Sequence, residues 1–308
     1  MPDGFVFAQA FFASMGVSVL VLLTPFALLR LTRSTPSLHN HSTVFSVPGS
    51  IAAGVIVGCH VLQFPWTWPP ANAIERFLQL FVPGTLIVHL AVSLWSHTAG
   101  TIRLLRLLPS LACPLLILYG SVHLRAPLSV ADHSLPGTVA APLIIGSCTI
   151  TLLAAVFTTQ SLTRRTSPLI TGLLITLTLP AAGISIMLAG YIKGGSAALP
   201  LAGSLLATVL GLRFLPHEPR RHALPDLALL LLFGLLMIGH FFGRISLLQA
   251  ASLLVSPLFA AGTPLPQKFR SRHTGELRFR LLILAVLIAA QLALAAWEFS
   301  VRMKPLLA

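Results

Sequence analysis

Long apolar stretches, broken at intervals by short clusters of Arg, Lys, Gly and Pro, set the pattern of this chain. A helix needs ~20 mostly apolar residues to cross the ~30 Å of bilayer hydrocarbon. On that scale the pattern predicts helices over Phe5–Leu29, Val44–Phe64, Phe77–Trp95, Leu104–Val122, Gly137–Thr159, Pro168–Tyr191, Ala197–Leu212, Leu227–Gly243, Ile245–Ala261 and Leu281–Trp297. The predicted fold class is all-α: a polytopic integral membrane protein of about ten transmembrane helices, forming one helical domain over residues 1–308. The longest connections, around 262–280, 213–226 and 123–136, are too short to carry a core, so no soluble domain is expected.

Two short segments decide the count. Taken as one helix, Leu227–Ala261 would reach ~50 Å, well beyond the hydrocarbon, so a hairpin turning at Gly243–Arg244 is expected. Lys193-Gly194-Gly195-Ser196 predicts a second tight turn, because paired glycines permit the backbone angles of a short reversal. If the helices of residues 168–212 only dip into the membrane, eight full crossings remain and the sidedness is unchanged.

Charge orients the helices. Of the twenty Lys and Arg, fourteen fall in alternate connections: Arg30 and Arg33, Arg103 and Arg106, Arg164 and Arg165, Arg213 with Arg220 and Arg221, and Lys268, Arg270, Arg272, Arg278 and Arg280. The other side receives only Arg76, Arg125, Lys193, Arg244, Arg302 and Lys304. Basic residues near span ends are retained in the cytoplasm, which predicts both termini outside. Trp66, Trp68, Trp95, Tyr119, Tyr191 and Trp297 lie near predicted span ends, where amphipathic rings favour the headgroup layer.

A composition of 56% hydrophobic and 9% charged residues excludes an ordinary soluble domain. The net charge of +13 is dispersed over the inner loops, so anionic lipid, met through Lys268, Arg270, Arg272, Arg278 and Arg280, is a more fitting counter-charge than nucleic acid. The first apolar run lacks a basic leader, carries Asp3 and is followed by Arg30 and Arg33, unlike a cleaved signal peptide. Cys59, Cys113 and Cys148 lie singly in different spans and read as small apolar-like thiols.

Candidate chemistry is sparse. Ser50, Gly54 and Gly58 form a ladder of small residues that lets another backbone approach closely. Thr85, His89, Ser93 and His97 recur every four residues and so form one polar stripe, in which an intramembrane His serves a local hydrogen bond, a solute or proton path, or metal or haem ligation. An outer-face cluster is expected from His60, Glu75, His123, Asp132, His133 and His240, with Arg76, Arg125 and Arg244 beside them. Imidazole and carboxylate are metal ligands, yet no ligand spacing supports a metal there. None of the seven acidic residues lies in mid-span, and HExxH, paired intramembrane aspartates, GxSxG and P-loop motifs are absent. Intramembrane protease, serine hydrolase and primary ATPase readings are thereby excluded, and no catalytic residue is assigned.

Gly58-Cys59-His60, followed by Phe64-Pro65-Trp66-Thr67-Trp68-Pro69-Pro70-Ala71-Asn72-Ala73-Ile74-Glu75-Arg76-Phe77, resembles a pattern of uncharacterised multi-pass membrane proteins of planctomycete-type bacteria. There a Gly-rich helix ends in a Trp/Pro-rich loop of the form PPxxAxxR/W that opens the next helix. The resemblance covers about thirty residues, departs from the pattern at Asn72 and Ala73, and implies a bacterial membrane location without an activity; the expected location is the cell (inner) membrane. The leading functional expectation is a small-solute transporter of permease-like type. The alternatives are a structural or partner-binding subunit of a membrane complex and a membrane redox protein associated with haem or quinone. No cofactor is predicted under the first two readings, while haem or metal belongs to the third.

Overall fold

The computed structural model describes residues 4–32, 36–95, 99–121, 124, 128–130, 133–135, 137–214, 223–264 and 273–307. Within them the regular structure is helical apart from one small hairpin. The helices are α1 (Gly4–Thr32), α2 (Pro36–Val61), α3 (Ala73–Arg76), α4 (Val82–Trp95), α5 (Ala99–Leu118), α6 (Gly137–Thr163), α7 (Pro168–Leu188), α8 (Ile192–Ser196), α9 (Ala198–Phe214), α10 (Ala223–Phe241), α11 (Leu247–Gly262) and α12 (His273–Leu307). The hairpin pairs β1 (Leu128–Val130) with β2 (His133–Leu135), antiparallel with Ser129 opposite Ser134.

Among the described residues, seven helices are long and apolar enough to cross a membrane, and three shorter apolar ones cover Phe45–Val61, Leu107–Leu118 and Leu247–Gly262. α11, at 16 residues, reaches only ~24 Å of the ~30 Å hydrocarbon. The outward faces are apolar too: Phe5, Phe12, Ile150, Phe157, Leu282 and Val286 are all exposed. Helices satisfy their own backbone groups, so such surfaces suit a solvent without hydrogen bonds.

Burial orders the bundle. In α10, 89% of the span is buried, against 17% in α12 and 22% in α1. α10 is therefore the central helix, apolar on every face because every face meets protein. α7 and α9 pack beside it, α1 and α2 pair along one flank against α9, and α11 and α12 lie against α7.

Small residues set the closest approaches. Gly54 packs against Ser14 and Ser18 of α1 and Ser204 of α9, and Gly58 against Ser14 and Pro200. The seam is tied by Ser18 Oγ donating to the Ser50 carbonyl at 2.9 Å and by a Ser50–Thr208 hydroxyl pair at 3.2 Å. The predicted ladder thus serves two neighbours at once.

The hairpin at Gly243 is present. Phe242 and Gly243 N–H groups both donate to the Ile238 carbonyl, and Ile245 N–H donates to that of Gly239. Gly243 packs directly over Gly239. The turn placed at Lys193–Ser196 is corrected: those residues form the helical turn α8, and the reversal occurs at Gly190, whose φ of +97° demands glycine. Gly195 is needed instead for its contact with the Gly183 carbonyl of α7. The third predicted helix starts four residues early, at Ala73, and passes through a π turn at Phe77–Phe81. That turn stacks the Phe77 and Phe81 rings at 5.7 Å and seats Phe77 against Gly234 of α10.

Candidate functional site

A cleft of about 610 Å³ lies between α6, α10 and α11. Its walls come from Ile144–Thr151 of α6, the second half of α10 and Leu247–Val255 of α11. In the other half of the bundle, Gly262 at the end of α11 lets Leu162 of α6 come close, so these two helices meet there. The cleft faces the outside of the bundle, since Ser147 and Thr151 of α6 and Leu247 and Val255 of α11 line it and are also exposed.

The lining is chiefly apolar, with Leu236, Met237 and Leu254 at the floor and wall. Four polar groups interrupt it: Ser147, Cys148, Thr151 and His240. His240 Nδ1 stands 2.9 Å from the Ile245 carbonyl, just past the α10–α11 turn. A carbonyl can only accept, so that contact assigns the ring proton to Nδ1 and leaves Nε2 with its lone pair in the neutral ring. The Phe241 ring meets the imidazole edge-on at 4.9 Å. On the opposite wall, Ser147 Oγ donates to the Ile144 carbonyl at 2.9 Å and Thr151 Oγ1 to that of Ser147 at 2.8 Å. Both hydroxyl protons are thus committed to the helix, and only oxygen lone pairs remain. Cys148 is within hydrogen-bonding reach of Ser147.

The polar stripe lies elsewhere. Thr85 is buried and donates to the Val82 carbonyl at 2.7 Å, and half-buried His89 has Nδ1 3.0 Å from the Thr85 carbonyl. Two of its members are therefore bonded along their own helix, and no residue of α4 lines the cleft. His97 lies outside the described residues, and of Ser93 the backbone alone is described.

The outer-face cluster is divided. His60 is exposed at the end of α2, whereas Glu75 is only 5% exposed. The Glu75 carboxylate accepts from the Thr67 hydroxyl at 3.1 Å, Ala71 N–H at 2.9 Å and the Asn72 amide at 2.6 Å, while Glu75 N–H donates to Asn72 Oδ1 at 2.9 Å. This reciprocal cap ties the Trp/Pro loop to the start of α3. Asn72-x-x-Glu75 before an apolar run is its sequence signal. Lys193 of α8 adds a favourable charge beside Glu75. Arg76 reaches the Ile117 carbonyl of α5 at 3.5 Å. Among the described residues of the cluster, His240 alone lines the cleft. His123 and Asp132 lie outside the described residues, and His133 is described only as backbone in β2. Among the described residues no group of three His, Cys, Asp or Glu could hold a metal ion.

In the basic segment, Lys268, Arg270 and Arg272 lie outside the described residues and Arg278 is exposed. Arg280 is buried at 4% exposure and donates to the Ala260 and Ala261 carbonyls and to Glu276. Its guanidinium closes the end of α11 and is spent within the protein. Sequence reasoning also passed over Asp226, buried in the first turn of α10, where Gln160 of α6 donates to it at 3.3 Å. No protein-family model, curated protein or solved structure matches this chain.

Proposed function

We propose that this chain is a ten-span, permease-like membrane protein that admits a lipophilic small molecule from the side, through the cleft between α6, α10 and α11. The observation that carries the reading is the cleft itself. It has the size of a small-molecule site, and its apolar walls and exposed rim face the surface that lipid would cover. Central α10 forms its floor and is held, among the described residues, by seven neighbouring helices, so the movable wall is α11, which is short and joined through the Gly243 turn.

The three shorter apolar helices complete the ten crossings. The basic connections then lie in the cytoplasm and both termini outside, in a bacterial cell membrane, the Trp/Pro-loop resemblance implying a bacterial membrane location. Arg278, with Lys268, Arg270 and Arg272, meets anionic headgroups on the inner face. A reporter fused after Ala308 and active only in the cytosol would overturn this orientation.

Filling the cleft tests the reading. Ala251 is exposed and lines it, so Ala251→Trp occupies the space without entering the core. Ala290→Trp, at an exposed position of α12, is the matched control. Native mass spectrometry of the purified proteins should show co-purifying lipophilic adducts on the control at wild-type occupancy and at least a fivefold loss on Ala251→Trp. Equal occupancy in the two variants sinks the proposal.

A further inference from the structure

The cleft's polar groups share one property: each offers a lone pair. The Ser147 and Thr151 hydroxyl protons are taken by carbonyls of α6, and the His240 Nδ1 proton is taken by the Ile245 carbonyl. What these lining residues have left to offer a ligand is two hydroxyl oxygens and an imidazole Nε2, all acceptors in the neutral state. The Cys148 thiol, a weak donor at best, lies against Ser147. Among the described residues, no Asp, Glu, Lys or Arg lines the cleft.

We infer that the cleft binds a neutral lipophilic alcohol or phenol, whose hydroxyl donates to His240 Nε2 while its apolar body fills the space beside Met237 and Ala251. This rests on the reading of the cleft as a ligand site and names the chemistry of that ligand. The reasoning is by complement. An acceptor placed among acceptors, such as a carboxylate, phosphate ester or ketone, would leave its lone pairs and those of the wall mutually unsatisfied in an apolar setting, a costly arrangement. An ammonium ion could donate, but no carboxylate is among the described lining residues to balance its charge. A neutral hydroxyl has both the proton that the wall lacks and no charge to desolvate. The single imidazole at the turn end places the polar head there, with the apolar body lying along α6 and α11 toward their point of contact at Leu162 and Gly262.

The test uses purified full-length protein and tritiated 4-nonylphenol in a scintillation proximity assay, with unlabelled 4-nonylphenol, its methyl ether 4-nonylanisole, and 4-nonylbenzoate as competitors. The ether replaces the donated proton with a methyl group and otherwise matches the phenol. The ether should compete at least tenfold less well, equivalent to ~1.4 kcal/mol, and the benzoate not measurably. His240→Phe keeps a ring of similar size without an acceptor, and should bring phenol and ether within about twofold of each other. If the ether or the benzoate competes as well as the phenol while Ala251→Trp abolishes binding, the hydroxyl inference is overturned and the cleft stands. If Ala251→Trp binds as wild type does, or no saturable binding is found, the cleft reading itself fails. The wild-type comparison of phenol with ether decides the matter even if His240→Phe does not fold.

Discussion

Gly54→Ala should loosen the α1–α2–α9 seam, although alanine is the better helix former. A methyl group on Gly54 would come within 2.7 Å of the Ser14 carbonyl and 2.8 Å of Ser204 Cβ, and would overlap Ser18 Oγ. The carbonyl belongs to a helix backbone and cannot turn aside, so α1 and α9 must both move. Overpacking of this kind costs ~1–3 kcal/mol. Moving the helices also strains the Ser18–Ser50 and Ser50–Thr208 hydrogen bonds, each worth ~0.6 kcal/mol between membrane helices. Against this stands at most ~1 kcal/mol of improved helix propensity. The net expectation is a loss of ~1–3 kcal/mol. Gly16→Ala is the internal control, since nothing lies within 4 Å of a methyl group at that position; it should be neutral or gain up to ~1 kcal/mol. Reversible unfolding in mixed micelles, titrated with a denaturing detergent and followed by tryptophan fluorescence, measures both. A Gly54→Ala protein as stable as Gly16→Ala would refute the close three-helix seam.

Arg280→Met should cost ~3 kcal/mol by stranding the Ala260 and Ala261 carbonyls and Glu276, read as a lower melting temperature with faster proteolysis between α11 and α12. Glu276→Gln should cost under ~1 kcal/mol, because Arg280 keeps its two carbonyl partners; an equal loss would shift the role from the carbonyls to the ion pair. Glu75→Gln replaces one acceptor with a donor that faces existing donors, so amide exchange over residues 65–72 should quicken by about tenfold or more while α10 keeps its protection. Unchanged exchange there would remove Glu75 as the loop's anchor.

Particular elements show how far the chain could be read before its structure. The Gly243 hairpin was legible because the apolar run around it is too long for one crossing, and the break had only one place to fall. The Ser50, Gly54 and Gly58 ladder was legible because close packing requires small side chains at helical spacing. The turn around Lys193 was misplaced: glycine marks both reversal and close contact, and here Gly190 supplies the reversal while Gly195 supplies the contact. Arg280 read like its neighbours on the basic segment, since nothing in a run of arginines distinguishes the one that closes a helix end.

Hydropathy along the chain determined the helical class, the approximate bounds of the apolar helices and their break points, because ~20 apolar residues in a row have few alternatives to a helix that satisfies its own backbone. Tertiary structure alone decided that α10 is central, that the Thr85–His89 face is bonded to its own helix, and that the open cleft lies at Ser147, Thr151 and His240. The reason is that lipid and protein interior are similarly apolar, so a helix face turned to one reads the same as a face turned to the other. The neighbours each helix acquires, and therefore which polar groups meet across a cavity, follow from packing that residue order does not spell out.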